Sequence, residues 1–335
     1  MSLTFNEKIR ILDSYNELRK GMKIVKAYGL NGIYWKGKRK HIEVTTMTKE
    51  YKGIENMDKI IEKLKVYNRK FPYEEIQEAI NNKETITPML LDILDEIIEN
   101  PSIVLDDPNY VMHEYGIFLL AQFREKSAFE KIIKLISMDE EDVEQMYGDT
   151  ITEDLSSILY STYDGQLDLI QAIIEDPKKH YYVRGVLLDL YIKLYNDNVI
   201  TKDNVIAYIR KLIYELTYNE DNDLADDIAT AVSDSRIFEL IPDIEYLYSE
   251  FRIDKFIVGE YDSFIDMIYD YDYNFGGVRY IEDTIKEMEY WACFEQSPKR
   301  KREEKIDLEE LEKIKTNKFS GKPKTQINFI RNEIF

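Results

Sequence analysis

The stretch that decides the fold is MHEYGIFLLAQFREKSAFEKIIKLI, residues 112–136. Apolar side chains recur in it at intervals of three and four residues, which is typical of amphipathic helices. They form two stripes, Met112, Tyr115, Leu119 and Phe123, then Phe129, Ile132, Ile133 and Ile136. One such helix pair cannot bury its own apolar stripe, so it must pack on neighbouring pairs. The stretch therefore predicts an antiparallel helix pair as the unit of the fold.

The same pattern recurs along the chain, with first helices beginning near residues 110, 150, 181 and 221. The interval of about 31–40 residues is the period of helical-hairpin repeats. Three helix starts are predicted from local signals, Thr87–Pro88 as N-cap and first residue, and capping boxes at Ser127/Glu130 and Thr150/Glu153. We therefore predict an all-α fold, an α-solenoid of HEAT-like helical hairpins, with a small N-terminal α/β-hairpin extension.

Charge divides the chain into three parts. The balance is +9 over residues 1–70, −33 over 71–297 and +4 over 298–335, for a net charge of −20. We expect a basic N-terminal extension over 1–70, made of a helix (4–20) and a hairpin (32–44), which packs on the acidic repeat domain over 71–297. Tethered unlike charges meet at high effective concentration. Residues 298–335 are expected to form a charged tail, with a basic run at 299–302 and a helix near 307–316.

Three segments together resemble the bacterial domain-of-unknown-function family 1186. They are HEYGIFLLAQFR (113–124), GDTITEDL (148–155) and YVRG (182–185), and the resemblance covers roughly 73–255. It implies a HEAT-type α-solenoid and no established activity. Many members of that family carry a cysteine-rich SEC-C zinc tail. This chain has no such cysteines, so no zinc site is implied for it.

Recognisable catalytic and metal-binding motifs are absent from the sequence. His113–Glu114 begins like a zincin helix, but that chemistry needs a second histidine at 117, where Ile117 stands. The spacing of Asp270, Asp272 and Asn274 resembles that of a calcium-binding loop. The glycine and the glutamate that such a loop needs follow one position too late, which favours a plain turn between helices. The sequence therefore predicts no catalytic residue, cofactor or metal ligand.

The single cysteine, Cys293, excludes an internal disulfide and a multi-cysteine zinc site. Its apolar surroundings predict a helical, buried, structural cysteine.

A polar cluster lies among the family-like segments. Its members are His113, Glu114, Asp149, Glu153, Asp154 and Arg184. Helical spacing places Asp154 on the flank that faces the equivalent helix of a neighbouring repeat. We therefore expect a cation to hold Asp154, with Arg184 preferred because its fork can bind a carboxylate bidentately, and with His113 as the other candidate.

These observations favour a non-catalytic scaffold that binds a protein or peptide partner. No apolar stretch approaches the length of a membrane span and no basic start precedes an apolar block, so a cytoplasmic location is expected.

Two alternatives stay open. One is a metal-dependent enzyme using the region of His113, Asp149–Asp154 and Arg184, which metal retention on purification would favour. The other is a nucleic-acid-associated factor acting through its basic ends, where Trp35 lies among lysines. The acidic body itself repels nucleic acid, and salt-sensitive binding lost on deletion of 1–70 would favour this alternative.

Overall fold

The computed structural model describes residues 55–218, 224–270 and 277–295. By its internal contacts the chain divides into two units, Met1–Glu55 and Asn56–Phe335, and the description below concerns the second. The predicted N-terminal helix and hairpin, the basic run 299–302, the helix near 307–316, and Asp272 and Asn274 of the calcium-like run all lie outside the described residues.

The described residues form helices and no β-strand, and an isolated antiparallel bridge joins Val66 to Tyr110. The helices are α1 (55–64), α2 (Tyr73–Asn81), α3 (Lys83–Glu99), α4 (Ser102–Leu105), α5 (Met112–Gln122), α6 (Phe129–Ile136), α7 (Glu140–Tyr147), α8 (Thr150–Glu153), α9 (Leu155–Thr162), α10 (Leu167–Ile174), α11 (Tyr181–Asn196), α12 (Lys202–Tyr218), α13 (Ala225–Ser235), α14 (Ile241–Ser249), α15 (Tyr261–Tyr269) and α16 (Thr284–Met288). Short 3-10 turns at Lys126–Ala128 and Phe238–Leu240 lead into α6 and α14.

The helices stack as hairpins, which confirms the predicted all-α, HEAT-like solenoid. The first helices of the pairs, α5, α9, α11 and α13, pack against one another in chain order, with α3 at one end of the row and α15 at the other. The second helices lie beside them, so that α6 packs on α3 and α9, α10 on α11, and α12 on α13 and α14. One continuous core runs through the stack, and Met57 and Leu64 of α1 already belong to it.

The described chain resumes at residue 277 and lies against the first part of the stack. Residues 277–283 form no helix, strand or turn and reach extended geometry at Asp283, α16 follows, and the described chain ends at Glu295. We call residues 277–295 the strap. Its helix α16 packs on α2 and α5, far from α15 in the order of the stack.

The start of α3 differs from the prediction. The helix begins at Lys83, not at Thr87, and Pro88 lies inside it. The turn at Asn82 opens the helix, because its carbonyl accepts hydrogen bonds from the N–H groups of residues 85 and 86. Ile86 is fully buried, so the extra turn adds apolar burial that offsets the N–H lost at Pro88.

The capping box predicted at Ser127 and Glu130 is wrong. The Glu125 carboxylate accepts hydrogen bonds from the main-chain N–H and the Oγ of Ser127, at 3.2 and 2.7 Å, and so caps the 3-10 turn that precedes α6. Glu130 instead forms an ion pair of 2.8 Å with Lys134, one turn further along.

The capping box predicted at Thr150 and Glu153 is also wrong. Thr150 is the first residue of α8, and its Oγ1 lies 3.3 Å from both carboxylate oxygens of Glu114. Glu153 is exposed at the end of the same short helix. At Asp154 the backbone leaves helical geometry, with φ −130° and ψ −18°, and α9 starts afresh one residue later.

Candidate functional site

The extended part of the strap is held by two serine side chains of α9. Ser157 Oγ accepts a hydrogen bond from the main-chain N–H of Arg279 at 3.2 Å, and Ser161 Oγ accepts one from Ile281 at 2.9 Å. The serines are one helical turn apart, and the N–H groups that they bind are two residues apart in an extended chain. The spacing of the two serines along the helix axis is about 6 Å. It nearly matches the spacing of the two N–H groups along an extended chain, about 6.6 Å. The face of α9 therefore binds an extended backbone in register.

Helix α5 continues the same binding. Gln122 Oε1 accepts the main-chain N–H of Thr284 at 2.8 Å, and the Thr284 hydroxyl donates to the Phe118 carbonyl at 3.1 Å. Arg124, just after α5, donates from Nη1 to the carbonyl of Ile281 at 2.6 Å. Side chains of the stack thus satisfy these main-chain groups of the strap, as buried polar groups require.

The strap side chains alternate in their surroundings. Ile281 is fully buried. Tyr280 stacks on the ring of Tyr160 with centroids 4.4 Å apart, and the Arg124 guanidinium lies 4.3 Å from the Tyr280 ring. Lys193 Nζ lies 5.1 Å from the Tyr160 ring, so cations accompany both aromatic rings.

A charged cluster accompanies the strap where it passes Asp154. Arg279 binds Glu287 bidentately, with both N–O distances 2.6 Å. Burial raises the pKa of the nearly buried Asp154 to about 6; the Glu287 charge adds to the rise, while the Arg279 charge opposes it. The cation whose charge acts on Asp154 is therefore a strap residue.

The predicted pairing of Asp154 with Arg184 is wrong. Arg184 is fully buried, donates from Nε to the carbonyl of Ile174 at 3.0 Å, and its charge acts on Asp227 of α13. The alternative partner, His113, is also engaged elsewhere, since its Nε2 lies 2.7 Å from the Met146 carbonyl. Burial lowers the pKa of His113 to about 4, so this imidazole is neutral at physiological pH.

The other predicted site residues separate into buried and surface positions. Glu114 lies with Thr150 and Asp154, and burial raises its pKa well above the usual value. Asp149 and Glu153 are exposed. The six residues do not form one cluster. Glu114 and Asp154 lie near the strap, Arg184 lies between repeats, and Asp149 and Glu153 lie at the surface.

Cys293 also differs from its prediction. It is exposed in a turn near the end of the strap, where its carbonyl accepts a hydrogen bond of 2.6 Å from Tyr67 Oη. The neighbouring Phe294 occupies the apolar position instead, with its ring 5.3 Å from that of Phe71. The apolar character of this stretch therefore reflects the packing of the residues next to the cysteine and not of the cysteine itself.

Equivalent positions of the first helices extend the strap-binding face. We align the buried residues at or near the helix starts, Met112, Leu155, Val183 and Ala225. Two residues further on stand Glu114, Ser157, Gly185 and Asp227, and four beyond those stand Phe118, Ser161, Asp189 and Ala231. The serines that bind the strap thus correspond to Gly185 and Asp189 on α11. A Cβ on Gly185 would lie 3.1 Å from Asp227 Oδ2, which places these equivalent positions side by side.

The α11–α13 part of this face is acidic. The Asp189 side chain is exposed to solvent, but the surrounding protein shields its carboxyl group in part, and this desolvation raises its pKa to about 6. Burial raises the pKa of Asp234 to about 6, and the charge of Asp189 contributes to that rise. Among the described residues, no group of three or more histidines, cysteines and carboxylates is arranged to hold a metal ion. In the same part of the chain, no helix combines the length and apolar character needed to cross a membrane.

Two known proteins are similar in sequence to about two thirds of this chain. An uncharacterised protein of Chlamydia muridarum is 33% identical over 243 residues, which cover 69% of this chain and 95% of that protein. An uncharacterised protein of Chlamydia trachomatis serovar D is 32% identical over 238 residues, 69% of this chain and 94% of that one. No solved structure matches the chain significantly.

The family model described as "Protein of unknown function (DUF1186)" matches residues 55–295. This range is wider than the resemblance seen in the sequence, and it runs from the start of α1 to the end of the strap. The chain therefore belongs to the DUF1186 family.

Proposed function

We propose that this protein is a non-catalytic, cytoplasmic scaffold that binds an extended segment of a partner protein on the face of its first helices. The observation that carries the proposal is the strap, an extended chain whose main-chain N–H groups are bound by Ser157 and Ser161 of α9. Main-chain recognition of this kind does not depend on the bound sequence. The same chemistry can therefore serve a segment from another protein, as in other modes of extended-peptide recognition.

We propose that the partner segment binds beside the strap, over α11 and α13. Asp189 occupies there the position that Ser161 occupies on α9, and it is exposed. A carboxylate at that position accepts a main-chain N–H or a basic side chain. The strap supplies a precedent for attraction to a basic side chain, because the charges of Arg279 in the strap and Asp154 on the stack act on one another. We therefore expect a partner segment that carries lysine or arginine.

Selection from a library of random peptides displayed on phage tests this function. We expect the wild-type protein to enrich peptides with a basic residue, and the purified peptides to lose at least about tenfold in affinity for Asp189→Lys, since a charge-assisted hydrogen bond contributes about 1.5–3 kcal/mol. Glu245→Lys is the matched control, because Glu245 is an exposed carboxylate on the second helix α14. Failure to enrich any peptide, or equal losses for the two variants, would contradict the proposal.

A further inference from the structure

A cavity of about 890 Å³ lies near the described start of the chain, away from α11 and α13. The loop that joins α1 to α2 forms most of its wall, with Asn109 and Tyr115 on the other side. This loop is fixed from two directions. Tyr67 N–H donates to the Asn109 carbonyl at 2.7 Å, and the N–H of Glu295, at the end of the strap, donates to the Arg69 carbonyl at 2.7 Å. The volume lies within the range of small-molecule sites, about 300–1,000 Å³.

The carboxylates in the cavity wall are already engaged. Glu75 forms an ion pair of 2.8 Å with Lys63, which lowers the pKa of that glutamate. Glu62 forms an ion pair of 2.7 Å with Lys65. Neither carboxylate therefore offers an unneutralised charge to a ligand.

The positively charged groups Arg69 and Lys70 of the wall remain unpaired. Arg69 and Lys70 are exposed, and their side chains make no ion pair or hydrogen bond with any described residue. The side-chain amide of Asn109 has no partner in the described chain either. Asn68 uses its Oδ1 to accept the Lys70 N–H at 3.3 Å, which leaves its amide N–H groups unbound by the same set of residues. Two cations and two amides thus line one cavity.

The character of this wall defines the ligand. Guanidinium, ammonium and amide N–H groups donate to oxygen acceptors, and the first two carry positive charge in a protein whose net charge is −20. The rings of Tyr67, Phe71 and Tyr115 also line the cavity and offer apolar contact for the rest of a molecule. We propose that this cavity binds a small molecule through a phosphate or carboxylate group held by Arg69 and Lys70.

Isothermal titration calorimetry of the full chain at constant ionic strength tests the proposal, with inorganic phosphate in one arm and acetate in the other. We expect saturable binding of at least one anion, and the arm that responds distinguishes the two groups. The double variant Arg69→Gln/Lys70→Gln should bind that anion at least about tenfold more weakly, because it removes two charge-assisted hydrogen bonds. Both residues are exposed, so the variant should fold.

Lys178→Gln is the matched control. Lys178 is exposed, its side chain has no partner among the described residues, and its N–H donates to Asp176 Oδ1 at 3.0 Å, as that of Lys70 does to Asn68. This control should bind the anion as the wild type does. Absence of saturable binding of both anions to the wild type overturns the proposal, as does an equal loss of affinity in the control and the double variant.

Discussion

Ser161 Oγ accepts a hydrogen bond of 2.9 Å from the main-chain N–H of Ile281, which lies 120 residues further along the chain. Both residues are buried, and the serine hydroxyl also donates to the Ser157 carbonyl at 2.7 Å. The bond therefore satisfies a strap N–H that has little access to water. Leaving such a group unsatisfied costs more free energy than an average hydrogen bond contributes.

Replacement of this serine tests the contribution of the strap to stability. We expect Ser161→Ala to lower the free energy of unfolding by about 1–3 kcal/mol, the cost of a buried donor without an acceptor. Urea denaturation measures the change. Ser137→Ala is the control, because Ser137 makes the same type of bond to the residue four earlier, Ile133, and it directly follows α6 as its C-cap. A loss no larger than that of the control would show that water replaces the serine at Ile281.

Gly185 of α11 lies against the Asp227 side chain of α13. A methyl group there would lie 3.1–3.4 Å from the carboxylate atoms of Asp227, so we expect Gly185→Ala to destabilise the protein by about 1–3 kcal/mol. At Gly116 the nearest atom would be Leu94 Cδ2 at 4.0 Å, and Gly116→Ala should be neutral or stabilising by up to about 1 kcal/mol. Thermal denaturation of both variants checks the contrast. The cost at Gly185 should shrink in an Asp227→Ala background, and an unchanged cost there would exclude the carboxylate as its cause.

Asp227 should make stability depend on pH. Burial, with Asp189 and Asp226 nearby, raises its pKa to about 7, against about 3.9 in an unfolded chain. The folded state therefore favours the protonated acid, and this contribution to stability is lost as the pH rises from about 4 to about 7. We expect Asp227→Asn to reduce the difference in urea midpoint between pH 5.5 and pH 8. Asp168→Asn, at an exposed position on α10, should leave the difference unchanged. Equal pH dependence in the wild type and Asp227→Asn would contradict the prediction.

The ring pair of Tyr160 and Tyr280 should couple the strap to α9. Stacked aromatic pairs contribute about 0.5–1.5 kcal/mol beyond their burial. A double-mutant cycle with Tyr160→Leu and Tyr280→Leu should give a coupling energy in that range. The same cycle between Tyr280 and the fully exposed Phe256 should be additive within about 0.5 kcal/mol. Additivity in both cycles would mean that the observed stacking does not stabilise the strap.

The sequence predicts the stack well because helix formation and apolar burial follow the same local period. Ile132, Ile133 and Ile136 fall on one face of α6, and all three are buried as their spacing indicates. Capping was predicted less well. Ser127 has its acceptor at Glu125, and only the three-dimensional path of the turn selects Glu125 over Glu130.

The strap could not be predicted from local pattern. Residues 277–283 have no helical period, and their N–H groups find acceptors on Ser157 and Ser161, more than 100 residues away. The cation whose charge acts on Asp154 was missed for the same reason, because Arg279 belongs to the strap. The apolar pattern of the strap does carry some information, since Ile281, Ile285 and Met288 recur at helical spacing and all three are buried.

The strap changes how the repeats unfold. In an array of hairpins each repeat contacts only its neighbours, so the ends can fray independently and unfolding can spread repeat by repeat. Here a single segment binds α9, α5 and the loop after α1, and it joins residues up to 226 positions apart in the chain, as between Tyr67 and Cys293. Opening the first repeats therefore requires release of the strap, and release of the strap exposes the first repeats. We therefore expect the strap and the repeats that it contacts, from α1 to α9, to unfold together as one cooperative unit.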